Sequence, residues 1–177
     1  MDDLFYVAIG ALFACYYTMK TRANFHDFEE YILIILGYIV SLFWYWSCKG
    51  YYYWNINFIT LVNYYEKDIL KFDKNERVYF IFANKETQND YLSPISGANV
   101  STSKVAILFA FTITLMWGTL LSYNLLGQLT CLEKWMWTNI LLSFIISGLL
   151  IFVLSYLVPK KLLKSKIDHF PDLNIKQ

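Results

Sequence analysis

Residues 105–126, VAILFAFTITLMWGTLLSYNLL, and residues 135–158, WMWTNILLSFIISGLLIFVLSYLV, contain no Asp, Glu, Lys, Arg or His, and only Gly127–Lys134 separates them. At 1.5 Å per residue these runs reach about 33 and 36 Å as helices, against a hydrocarbon core of about 30 Å. They read as two transmembrane helices joined in a hairpin. Trp135 and Trp137 suit the headgroup level at one end. Pro159, followed by Lys160, Lys161, Lys164 and Lys166, predicts a stop at the other.

Outward from this hairpin the same pattern repeats. Leu4–Met19 and Tyr31–Cys48 are uncharged, while charges crowd into the segments between the runs. The whole chain of 177 residues is 57% hydrophobic and 16% charged, too apolar for a soluble domain of its length. The sequence therefore predicts an all-α membrane protein of four transmembrane helices. The first run, the shortest, would span about 24 Å. It lacks the basic start and small-residue cleavage site of a signal peptide, and is expected to stay on the protein.

Residues 49–104, between the second and third runs, are expected to carry a small α+β insertion. Trp54, Phe58, Leu61, Val62, Tyr65 and Ile69 recur with helical spacing and predict an amphipathic helix. A charged break at Lys71–Glu76 follows, then two short β-rich runs, Arg77–Ala83 and Tyr91–Ile95, which predict a hairpin. The organisation expected is thus 1–48 (two helices), 49–104 (loop), 105–158 (helical hairpin) and 159–177 (basic tail).

Counting basic residues orients the chain. With the N-terminus inside, the cytoplasmic segments hold Lys49, Lys67, Lys71, Lys74, Arg77, Lys85, Lys104 and the five tail lysines, against Lys20, Arg22 and Lys134 outside. Both termini are expected in the cytoplasm, at a bacterial inner membrane. The net charge of +1 offers no nucleic-acid footprint.

Motifs for chemistry are lacking. The seven glycines form no phosphate-binding loop. His26 and His169 have no metal-ligand spacing around them, and Cys15, Cys48 and Cys131 read as small hydrophobes. No span holds a charge of the kind that marks a proton relay. No cofactor and no enzymatic activity are expected.

Three groups of residues remain as candidates. Phe58, Val62, Tyr65, Lys67, Lys71 and Arg77 offer an apolar and basic surface to a cytoplasmic protein. Lys160, Lys161, Lys164 and Lys166 suit anionic lipid headgroups, at roughly 1 kcal/mol each, although the topology rule alone accounts for them. Thr112, Thr119 and Ser122 share a face of the third run and could line a path through a homo-oligomer; the plainer reading is hydrogen bonding to backbone or to a neighbouring helix. Small residues four apart, such as Gly37 with Ser41 and Ser143 with Ser147, permit close helix packing.

In architecture the four runs and the loop resemble the four-helix membrane subunit of the bacterial Kiwa antiphage system, which works with a cytoplasmic partner. That resemblance implies a non-enzymatic, oligomeric membrane anchor or sensor in phage defence. A pore, and more distantly a lipid-acting enzyme, are the alternatives.

Overall fold

The computed structural model describes residues 2–21, 27–78, 100–129 and 136–163. Four α-helices lie among them: α1 (Asp2–Lys20), α2 (Asp27–Tyr64), α3 (Thr102–Leu129) and α4 (Met136–Lys161). Each begins and ends where the helix dipole and capping chemistry allow. α1 opens on Asp2 and Asp3 and closes on Lys20, charges that complement the dipole. The Ser101 hydroxyl accepts the Lys104 N–H at 3.4 Å, an N-cap for α3. α4 runs through Pro159 and ends two residues later, so the proline marks the end of the helix without being its last residue.

Two expectations are corrected. First, the span predicted at Tyr31–Cys48 and the amphipathic helix predicted beyond it are one helix. Nothing breaks the chain at Lys49–Gly50: there is no proline, and no atom lies within 4 Å of a Cβ placed on Gly50. The described residues contain no strand, so the α+β insertion is not supported. Of the predicted hairpin, Arg77 and Val78 are not extended, and 79–83 and Tyr91–Ile95 lie outside the described residues.

Second, among the described residues three helices and not four are long and apolar enough to cross a membrane: Phe28–Ile69, Thr102–Gly127 and Met136–Lys161. α1 is helical where expected. The aspartates at its start, the lysine at its end, and Tyr6, Tyr16, Tyr17 and Thr18 within it leave it less apolar than the others.

The chain divides into two compact units, Met1–Trp46 with Thr112–Gln177, and Ser47–Phe111. The first is a helix bundle held by close backbone approach. Gly37 of α2 lies against the Trp117 ring of α3; a Cβ on Gly37 would sit 2.5 Å from Trp117 Cδ2, and Trp117 is fully buried. Gly118 likewise meets the Ser147 hydroxyl of α4 and Tyr38 of α2. The small pairs Gly37 with Ser41 and Ser143 with Ser147 are all buried. Gly10 and Ala14 of α1, of the same spacing, are exposed.

Hydroxyls tie these helices together where lipid offers no alternative partner. Thr114 donates to the Ser41 carbonyl at 2.9 Å, Ser147 to the Leu115 carbonyl at 3.2 Å, and the Trp46 indole N–H to Ser155 Oγ at 2.9 Å. α1 packs through rings. Phe5 and Tyr6 meet Trp44 at centroid distances of 6.4 and 4.9 Å, and Phe13 and Tyr16 meet Trp117 at 4.7 and 5.9 Å. Lys20 then pairs with the buried Glu30 at 2.7 Å.

Candidate functional site

The second unit contains the far half of α2. From Gly50 to Tyr65 the chain reads GYYYWNINFITLVNYY, without a charge. The helix then widens into a π-turn over Tyr65–Ile69. Leu70 N–H bonds the Tyr65 carbonyl, Lys71 takes a left-handed φ of 55°, and Phe72 N–H returns to the Glu66 carbonyl, closing the end of the helix. Glu66 itself is 7% exposed. One carboxylate oxygen accepts the Val78 N–H at 3.3 Å and the other has no hydrogen-bond partner among the described residues.

This local geometry brings the predicted partner-binding residues into one short stretch. Phe58, Tyr65, Lys67 and Lys71 are exposed, while Val62 and Arg77 are half-buried. Arg77 Nε donates to the Phe72 carbonyl at 3.0 Å, which folds the basic turn back on itself. At the end of α4, Lys160 and Lys161 are exposed, and the Lys160 ammonium donates to the Tyr156 hydroxyl at 3.0 Å over its ring. Lys164 and Lys166 lie outside the described residues.

The three candidate pore residues of α3 differ from one another. Thr112 is exposed; Thr119 is half-buried and donates to the Leu115 carbonyl one turn back at 2.7 Å; Ser122 is buried. No group of His, Cys, Asp and Glu able to hold a metal is present among the described residues.

Tyr51, Trp54, Phe58, Leu61 and Tyr65 are all exposed, by 38% to 65%, on the uncharged stretch of α2. Four of them belong to the apolar face predicted for the amphipathic helix; their steps of three, four, three and four residues begin at Tyr51, which the predicted boundary at Lys49–Gly50 left out of that face.

Long apolar helices knotted by glycine, tryptophan and hydroxyl contacts define a helical membrane protein. The chain belongs to the octameric membrane protein family (8xMP), whose model matches residues 3–126. It is accordingly an oligomeric membrane protein. The match takes in α1, α2 and most of α3 and stops before α4. No curated protein and no solved structure matches the chain.

Proposed function

We propose that the protein is a non-enzymatic membrane anchor, assembled as eight copies, that presents an exposed, charged turn to a cytoplasmic protein. The observation that carries this reading is the exposed charged turn, in which Lys67, Lys71 and Lys74 alternate with Asp68, Asp73 and Glu76 and Arg77 lies beside them, directly after a helix that belongs to an oligomeric membrane family. An octamer repeats that turn eight times around one assembly. Contacts too weak singly then add through effective concentration.

The excess of Lys and Arg in residues 49–104 and in the tail supports a cytoplasmic placement of both at an inner membrane. Lys160 and Lys161 contribute headgroup contacts at the same leaflet. A role in phage defence, with the anchor reporting a membrane event to its partner, is the process this reading serves by its likeness to the Kiwa membrane subunit.

A pore is the second reading. An octameric family can surround a channel, and Thr112 is the one exposed member of the candidate pore set.

The test is purification in mild detergent with mass by light scattering. The anchor reading expects eight chains and a stoichiometric soluble protein that is released by Lys67→Glu/Lys71→Glu/Arg77→Glu without change in the oligomer. A partner-free oligomer whose ion flux in liposomes falls on Thr112→Leu substitution sinks the anchor in favour of the pore.

A further inference from the structure

We infer that the exposed stripe Tyr51, Trp54, Phe58, Leu61 and Tyr65 on α2 is a helix–helix seam between copies of this chain, whose Phe58, Leu61 and Tyr65 lie outside the hydrocarbon. The inference deepens the oligomeric reading and rests on it.

Three observations carry it. The first is length. α2 has 38 residues, about 57 Å at 1.5 Å per residue. Even at the steep end of observed tilts, near 40°, a hydrocarbon core of about 30 Å takes up only about 26 residues of helix. About a dozen residues of α2 must lie beyond it. Glu30 and Lys49 bracket an uncharged run of bilayer length, so the excess is the end that carries the stripe. Lipid tails cannot be what covers residues 58–65.

Spacing is the second. Steps of three, four, three and four residues are the heptad pattern of positions a and d, whose period of 3.5 keeps one seam facing a partner helix. The less exposed residues Tyr52, Asn55, Ile59, Val62 and Glu66 line one side of the same helix, and the stripe borders it on one flank of a wider arc that is exposed among the described residues and also holds Tyr53, Ile56, Thr60 and Tyr64. Phe58, Leu61 and Tyr65 beyond the hydrocarbon, continuing the helix–helix spacing of Tyr51 and Trp54, call for another helix.

Charge selects which helix. The stretch from Gly50 to Tyr65 holds no ionisable Asp, Glu, Lys, Arg or His, and the positions flanking the seam are Asn55, Asn57, Val62 and Tyr64. A charged partner would find nothing to pair with, whereas identical copies meet without like-charge repulsion. The family is octameric, and its matched segment contains the whole stripe but not α4. A second copy of this chain is the occupant the observations favour.

The test uses the full-length protein in native membranes, with Cys15, Cys48 and Cys131 replaced by alanine and single cysteines returned at chosen positions. Under a short bis-maleimide, Phe58→Cys and Leu61→Cys are expected to give covalent dimers at least about tenfold more than Thr60→Cys, which lies on another side of α2. In parallel, Trp54→Ala/Phe58→Ala/Leu61→Ala is expected to lower the mass in light scattering below that of the wild-type oligomer. Leu141→Ala/Phe152→Ala, on exposed positions of α4, is expected to leave it unchanged.

Equal crosslinking at Thr60, or a stripe variant of undiminished mass, overturns the seam while the oligomer stands. A stripe cysteine that crosslinks to a different protein, or that is shielded from maleimide without forming dimers, assigns the face to a partner or to lipid and also overturns it. A wild-type protein of single-chain mass removes the oligomeric reading and the seam together.

Discussion

Trp44 and Trp54 stand ten residues apart on the same helix and are nearly opposite in circumstance. Trp44 is wholly buried against Phe5 and Tyr6, and Trp54 is 60% exposed. The near half of α2 finds its contacts within its own chain, through glycine notches, hydroxyl ties and the rings of α1. The far half presents equally large side chains and finds no such cover. One helix thus serves two purposes: its first half builds the bundle, and its second half, by the inference above, builds the assembly.

The sharpest way to break this contrast is to fill a notch in the near half. Gly37→Val places carbon inside the Trp117 ring contact, and neither the ring nor the two helices can yield without separating. A loss of about 3 kcal/mol or complete failure to recover folded protein is expected, read by thermal unfolding and gel filtration in detergent. A protein that melts as wild type shows that the close approach of α2 and α3 is not what holds the bundle.

The tryptophan pair gives the next effect. Trp44→Ala opens a cavity where three rings met and should cost about 3 kcal/mol. Trp54→Ala should leave the melting of the detergent-dispersed single chain within about 0.5 kcal/mol of wild type while weakening assembly. If both substitutions destabilise the single chain equally, the two halves of α2 are not distinct.

The smallest effect sharpens rather than breaks the comparison. Trp46→Phe keeps the ring's bulk and removes the indole donor to Ser155, for an expected loss of about 1 kcal/mol. Intrinsic fluorescence during unfolding, compared with Ser155→Ala and the double variant, reports whether the two substitutions couple. Additive losses would show that α2 and α4 are held by packing alone at this point.

Much of the bundle was legible before any coordinates. Uncharged runs located the starts of all four helices and the ends of three to within a few residues, because in lipid the backbone must satisfy itself and charge marks the ends, whereas α2 continues well past Cys48 to Tyr64. The small pairs Gly37 with Ser41 and Ser143 with Ser147 foretold close approach, and both are buried. Identical spacing at Gly10 and Ala14 leads to no such contact, since a small residue permits approach without compelling it.

Lys49 misled the reading most. A cation followed by glycine was taken as the boundary between a span and a separate amphipathic helix, yet an exposed lysine costs a helix little and glycine about 1 kcal/mol relative to alanine. Neither stops a helix already nucleated by the preceding five turns. For α1, the absence of charge between Leu4 and Met19 suggested a span despite its short length, and its terminal charges and tyrosines place it below the other three. Of the candidate site, the basic turn could be read from Lys67, Lys71 and Arg77, whereas the buried Glu66 beneath it could not. Its burial follows from the π-turn, and no spacing rule announces that widening.

Between Glu30 and Glu66, Lys49 is the one charge on the helix. Little besides that side chain sets how deep the helix sits. A bilayer thicker by about 3 Å takes up two further residues, and Tyr51 lies two residues past Lys49. With a seam on its far half, such a helix is a gauge: each increment of lipid thickness is subtracted from the length left for subunits to meet.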